Sequence, residues 1–389
     1  MAKFLKSIFA ILTLCLIGCS ERDDKHIIPS ISVPSLGTPP NNEIWFQTSE
    51  YNETINFDQS AFDSEVVDVI YSDYSHHTIR FAGNLTTIGE EAFADCRNLF
   101  NISLPNSVTT IGKRAFKDCK RMDSMTIGNG LQLCQANAFE GCEENFYTLY
   151  IPSIYSWCRI EFENYMANPA YCTQNLTLNG SKVTRLTIPN SVQRIGAYSF
   201  YGNTAITELF IPASVSSVGY RAFEECKNLS KVTTEDINAW CNIDFANETA
   251  NPISIAGLLY TNEVLLTNLS LADIREVKPR VFYRCNSLQT VESDQTLTTI
   301  GSEAFRACSS LTTAELGSNL TTIGKTAFFG CENLVKVVCR ATIPPTLEND
   351  NVFGRNAEGF KIYVPSESFD SYISDEVWSV YADNITTIQ

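Results

Sequence analysis

The stretch LFNISLPNSVTTIGKRAFKDC, residues 99–119, decides the fold. Leu99, Ile102 and Leu104 form an L-x-x-I-x-L pattern, which predicts a strand with alternating inward residues. Pro105-Asn106-Ser107 predicts a turn, because Pro ends a hydrogen-bonded ladder and Asn and Ser favour bends. Val108 to Ile111 predicts a second short strand, rich in β-branched residues and closed by Gly112. Ala115 to Cys119 predicts about one helical turn with Phe116 and Cys119 facing inward. One such unit leaves its apolar edge uncovered, so it must stack on copies of itself.

The copies are present. Phe93, Phe116 and Phe139 are 23 residues apart, and the interval returns at Phe200 and Phe223 and at Phe282, Phe305 and Phe328. A degenerate copy ends near Phe353. A fixed period in the twenties marks a stacked repeat. Three residues after the Phe stand Cys96, Cys119, Cys142, Cys226, Cys285, Cys308 and Cys331. Stacked coils hold equivalent side chains about 5 Å apart and parallel, whereas a disulfide needs its Cβ atoms turned toward each other. A ladder of small buried thiols is the expectation. Cys158 and Cys172, outside the period, are the expected exception. The Phe200 copy carries Asn203 in the Cys slot, and Lys278-Pro279 stands where Ile-Gly is expected, so strain or a bend is expected there.

Two insertions interrupt the period. Trp157, Ile160, Phe162 and Asn168-Pro169 recur at Trp240, Ile243, Phe245 and Asn251-Pro252, each 83 residues later. A recurring block of this kind predicts a variant coil whose Trp and Phe pack on the stack.

The chain opens with MAKFLKSIFAILTLCLIGCS. Lys3 and Lys6 followed by an apolar run form a secretory signal, too short to span a bilayer. Leu16-Ile17-Gly18-Cys19 resembles a bacterial lipobox, which implies lipidation of Cys19. The following SERDDK resembles a surface-export signal of Bacteroidetes lipoproteins. Three prolines between Ser30 and Asn42 predict an extended tether. Loss of Lys3 and Lys6 leaves 26 basic against 44 acidic residues, a charge of −18. That balance, with no basic patch carrying interleaved aromatics, argues against nucleic acid.

LTTIGEEAF, LPNSVTTIGKRAFKDC and IPASVSSVGYRAFEEC resemble BspA-type leucine-rich repeats. The Trp and Asn-Pro insertions, the opening NNEIWFQTS and the ending from CRATIPPTL to SVYADNI resemble Bacteroides members of that family. The resemblance implies a leucine-rich-repeat solenoid of the α/β horseshoe class, dominated by β structure. About eleven right-handed coils are expected, with a parallel β-sheet, short second strands, helical corners and a cap at each end. The implied organisation is a signal peptide over 1–19, a tether over 20–41 and an N-terminal β cap over 42–83. Repeats fill 84–340, with insertions near 152–175 and 235–258, and a last repeat and C-terminal cap occupy 341–389. Ser366 to Val377 is expected to be helical.

Chemistry finds little support. The three histidines, His26, His76 and His77, lie outside the repeats. No H-E-x-x-H, G-x-S-x-G, P-loop or C-x-x-C occurs, and Cys–His zinc spacing is missing. The expectation is a non-enzymatic protein with no cofactor and no metal. Binding is expected on the outward residues of the first strand of each coil. Most are small and polar, such as Asn101 with Ser103 and Ser124 with Thr126. Tyr150, Arg185 and Phe210 stand out as the candidate binding surface, since aromatics and Arg are favoured at interfaces. The family is known for surface proteins that attach to host or bacterial partners. The resemblance therefore implies an outer-membrane, lipid-anchored adhesin facing outward, with a protein partner. Capture of a glycan or nutrient is the alternative.

Overall fold

The computed structural model describes residues 35–50, 53–72 and 76–388. Cys19, the signal and most of the tether lie outside the described residues.

The repeat unit builds two parallel ladders. Leu99–Ser103 pairs in register with Ser124–Thr126, and that strand pairs with Thr148–Tyr150. Leu99, Ile102, Leu104, Val108 and Ile111 are all buried, as the alternation requires. The second ladder stacks Thr87–Ile88, Thr110–Ile111, Leu133–Cys134 and Glu161–Phe162. Gly112 closes its strand because the coil before it passes too near: a Cβ there would lie 2.5 Å from the Gly89 carbonyl carbon.

The corners are tight turns, not the expected helical turn. Residues two before and two after each Phe from Phe93 to Phe328 that keeps the period adopt positive φ: Glu91 at 56° and Asp95 at 55° around Phe93, Arg114 at 55° and Asp118 at 57° around Phe116. Left-handed residues end a helix. They turn the backbone N–H groups toward the next coil instead. Phe93 N donates to Ala115 O at 2.7 Å and Asp95 N to Lys117 O at 2.8 Å. The corner thus becomes a third intercoil ladder. Inside it the rings stack: Phe93 on Phe116 at 5.2 Å and 7°, and Phe116 on Phe139 at 5.3 Å and 5°.

The thiols form the expected ladder and also donate. Cys119 Sγ lies 3.1 Å from Phe93 O, and Cys142 Sγ lies 3.0 Å from Phe116 O. Cys158 and Cys172 are free and buried, so the expected exception fails. Cys172 points instead at Phe139 O, 3.7 Å away, in the manner of the ladder. Asn203 is fully buried; its Oδ1 accepts from Ala205 N at 3.1 Å, but its Nδ2 has no partner. The other irregular point keeps the 23-residue register, with Val277 opposite Ile300, so the Ile-Gly slot falls at Val277-Lys278 and not at Lys278-Pro279. Val277 takes the Ile position and Lys278 the Gly position, where its N donates to Cys241 O at 3.0 Å.

Both ladders break after each insertion. Among the described residues the first ladder falls into sheets of eight, five and six strands, and the second into sheets of four, three and four. Each insertion ends its sheet with an antiparallel hairpin. Thr177–Leu178 turns back as Ser181–Lys182, and Leu259–Thr261 turns back as Val264–Leu265. Asn179-Gly180 and Asn262-Glu263 make the turns with positive φ at both positions, the geometry that favours a two-residue hairpin.

The insertions bridge the break with side chains. In a regular coil the corner Phe N reaches the carbonyl before the next Phe. Here Phe139 N is taken by Met166 O at 2.9 Å, in the 3-10 turn Tyr165–Ala167. Trp157 Nε1 then donates to Ser199 O at 2.8 Å, and Asn168 Nδ2 donates to Tyr198 O at 2.7 Å and Ser199 O at 3.2 Å. The second insertion repeats the device. Trp240 Nε1 reaches Val281 O at 3.1 Å, and Asn251 Nδ2 reaches Arg280 O at 2.7 Å and Val281 O at 3.0 Å. Trp157, Trp240, Phe162 and Phe245 are buried, as expected of a packed variant coil.

The ends are covered. Glu43–Thr48 pairs antiparallel with Leu99–Ser103 on one side and His77–Phe81 on the other, and Ile44, Phe46, Ile79 and Phe81 bury against the first coil. At the C-terminus the helix is shorter than expected. Ser366–Ser368 is a 3-10 turn, Phe369–Ser374 is α-helical, and Ile385–Thr387 adds a parallel strand to Lys361–Val364. Asp375, in extended backbone, stops the helix and accepts from Val377 N and Trp378 N at 3.0 Å each. Among the described residues no helix is long and apolar enough to cross a membrane.

Candidate functional site

The outward face of the first ladder is not uniformly solvated. Asn101, Ser103 and Ser124 are buried, contrary to their expected exposure. The segment before the first strand, and Gln47 within that strand, cover them: Ser103 Oγ bonds Gly37 O, Ser35 Oγ lies 2.9 Å from Thr126 Oγ1, and Asn101 Nδ2 donates to Gln47 Oε1 at 2.6 Å. Sequence alternation gives the direction of a side chain but not what a distant segment lays over it.

The middle sheet is the open one. Its register aligns Arg185, Glu208 and Lys231 in one row, and Thr187, Phe210, Thr233 and Tyr260 in another. Arg185 forks onto Glu208, with Nε to Oε2 at 2.9 Å and Nη2 to Oε1 at 3.1 Å. That hydrogen bond and the carboxylate charge raise the guanidinium further above its ordinary value. Lys231 pairs with Glu263 and lies 5.0 Å from the centre of the Tyr260 ring. Arg185, Phe210, Thr233 and Glu263 line one shallow hollow of about 370 Å³.

The three candidate residues are therefore only partly brought together. Arg185 and Phe210 share the hollow. Tyr150 stands in the preceding sheet, separated from Arg185 by the hairpin strands Thr177–Leu178 and Ser181–Lys182. Arg185 is exposed, while Tyr150 and Phe210 are half-buried. Burial and the neighbouring Asp123 raise the Tyr150 phenol above its ordinary value. Sequence reasoning missed Tyr260 and Glu263, which complete the face. The alternation of Leu259-Tyr260-Thr261 carries that signal, but it sits inside an insertion where the 23-residue register is lost.

Side chains on the corners form a second grouping that sequence reasoning missed. Tyr165, Tyr171, Tyr198, Tyr201 and Tyr220 make a continuous chain of ring contacts, with centroids 5.0–5.9 Å apart. Burial, then Glu224 and Glu225, push the Tyr201 phenol up to about 12. These tyrosines do not share one repeat position, so periodicity hides them.

The described residues offer poor material for catalysis. Burial raises Cys96 to about 11 and Cys226 and Cys331 to about 12, so the thiols are neutral at physiological pH. His77 Nδ1 accepts from Ser72 N at 3.0 Å, and the His76 ring stacks on Trp45 with centroids 4.3 Å apart. Among the described residues no three His, Cys, Asp or Glu side chains are grouped to hold a metal.

Parallel ladders, tight corners and a repeated Phe–Cys core define a leucine-rich-repeat solenoid. The chain belongs to the BspA-type family: the BspA type Leucine rich repeat region matches residues 45–166, 173–256 and 253–367, in six copies. No curated protein matches the chain. Among solved structures, a leucine-rich repeat protein from Bacteroides ovatus is 16% identical over 90% of this chain and 99% of its own, with a TM-score of 0.36. A leucine rich cell surface protein from Faecalibacterium prausnitzii is 18% identical over 91% and 96%, with a TM-score of 0.40. The pneumococcal vaccine antigen PcpA is 16% identical over 78% and 69%, with a TM-score of 0.36.

Proposed function

We propose that this chain is a non-enzymatic, cell-surface binding lipoprotein, held in the outer membrane by lipid on Cys19. Its partner is a protein on a host or neighbouring bacterial surface. Membership of the BspA-type repeat family carries this reading. The coil design supports it. Inward residues stack the coils, and outward strand residues are free to vary without cost to the core. On the middle sheet those positions hold Arg185, Phe210 and Tyr260 beside paired charges, a combination favoured where proteins meet. The acidic balance of the whole chain argues against nucleic acid as the partner.

Two measurements test this. Cys19→Ala should move the protein from the membrane to the soluble fraction; retention in membranes would remove the anchor. The purified ectodomain should capture host-matrix or bacterial surface proteins, and Arg185→Ala with Phe210→Ala should weaken that capture. An ectodomain that retains nothing from either source would remove adhesion.

A further inference from the structure

The two insertions are copies, but their corners are filled differently. The offset of 83 aligns Tyr165 with Glu248 and Tyr171 with Ser254. Both pairs sit on equivalent elements: the 3-10 turns Tyr165–Ala167 and Glu248–Ala250, and the short helices Pro169–Thr173 and Ile253–Ala256. Tyr201 and Tyr283 are equivalent too, each following its corner Phe.

In the first insertion the tyrosines occupy the corner. Tyr165 stacks on Tyr201 at 5.2 Å and 26°, and Tyr171 packs on Tyr201 at 5.7 Å. In the second insertion Glu248 and Ser254 leave that space open. A hollow of about 830 Å³ lies there, and Tyr283 forms one wall. Among the described residues no other ring packs on Tyr283; Arg306 lies 5.9 Å from its centre. The volume falls in the range of about 300–1,000 Å³ common for ligand clefts.

The lining selects the ligand. Arg221, Lys227 and Arg284 are matched by Glu224, Glu225 and Glu248, so the hollow is neutral within an acidic chain. Several of these charges are already paired, Arg221 with Glu224 at 3.1 Å and Lys227 with Glu225 at 2.7 Å. Arg284 and Glu248, one of each sign, stand outside any ion pair among the described residues, so the lining sets no net preference for a charged ligand. Asn247, Thr249 and Ser254 add amide and hydroxyl groups to the lining. A tyrosine side chain offers one hydroxyl to such a surface. A pyranose offers a rim of hydroxyls and a flat C–H face, which suits polar walls and the aromatic walls of Tyr220 and Tyr283.

We propose that the hollow beside the second insertion binds a neutral saccharide, one sugar ring stacked on Tyr283 where Tyr165 stacks on Tyr201. This site lies on the corners and does not depend on the sheet-face reading, because saccharide binding and protein capture are measured separately.

The test titrates the full-length chain, in detergent micelles, with neutral hexasaccharides of glucose, mannose, galactose and N-acetylglucosamine, followed by calorimetry. At least one should bind. Tyr283→Ala should weaken it tenfold or more, while Tyr283→Phe retains it. Glu248→Tyr with Ser254→Tyr, which borrows the residues of the first insertion, should abolish it. No binding of any hexasaccharide at millimolar concentration would overturn the proposal. Unchanged binding in the double variant would do the same, as would capture of a tyrosine-containing hexapeptide by a chain that binds no sugar. Circular dichroism checks the double variant; if it fails to fold, the Tyr283→Ala and Tyr283→Phe pair decides.

Discussion

A regular coil and an inserted coil solve the same problem by different means. The regular coil meets its own likeness. Phe116 lies on Phe139, Cys142 reaches Phe116 O, and Phe116 N donates to Ala138 O at 2.8 Å. The inserted coil meets an unlike neighbour across a broken ladder, so no backbone donor arrives at Ser199 O or Val281 O. An indole and an amide supply the missing bonds. A periodic stack therefore tolerates an aperiodic member when side chains deliver hydrogen bonds to the carbonyls the backbone would have served. The energetics differ accordingly. Contacts in the regular coils multiply with copy number, while those at a splice are few and individual.

Base should act most strongly, because it strikes every coil that carries a ladder thiol together. The ordinary thiol value is 9.0, and burial raises Cys96 to about 11 and Cys331 to about 12. A raised acid favours the folded state fully below 9 and loses that advantage as pH rises through the folded value. Each such thiol should then lose about 1.4 kcal/mol per pH unit. The midpoint of urea unfolding should fall steeply between pH 9 and 11; a flat profile would place the thiols in water. Next comes Phe116→Ala, which removes a ring from the middle of a stack and should cost about 3–5 kcal/mol by urea denaturation. A cost below about 1 kcal/mol would mean the row adds nothing beyond its neighbours.

Asn168→Ala should cost about 2 kcal/mol, since Tyr198 O loses its amide donor and Ser199 O keeps only Trp157 Nε1. Its signature should be qualitative as well. Weakening one interface of a linear array uncouples the parts on either side, so unfolding should separate into two transitions. A single sharp transition would show the splice to be no weaker than a regular interface. Asn203→Cys should stabilise by about 1 kcal/mol, because it restores the ladder residue and removes a buried amide nitrogen that lacks a partner. The smallest effect belongs to Arg185→Ala, an exposed ion pair that should leave the melting temperature unchanged.

Phe116, Cys119 and Ile111 made the stack legible, because burial at a fixed interval leaves a periodic mark. Trp157 and Asn168 showed that the insertions were structured, since their recurrence at Trp240 and Asn251 is itself a period. Their hydrogen-bond targets were not legible, because a carbonyl leaves no trace in side-chain identity. Positive φ at Arg114 and Asp118 was hidden for a related reason. Neither residue is Gly or Asn, so composition suggested a helical corner. The face was partly visible: alternation pointed to Arg185 and Phe210. It could not foresee Gly37 covering Ser103, or the hairpin that parts Tyr150 from Arg185. The hollow beside Tyr283 emerges only when the two insertions are laid over each other in space.

The hairpins that end two of the sheets have a consequence for inheritance. Each closes its ladder locally, and each following block begins on carbonyls that the Trp and Asn side chains of the preceding insertion can reach. From Trp157 to Trp240 the intervening 83 residues behave as a cassette with matching joints at both ends. Unequal recombination between the two copies would add or delete one cassette and leave every joint intact. The length of this protein is thus a quantity its gene can vary in whole steps.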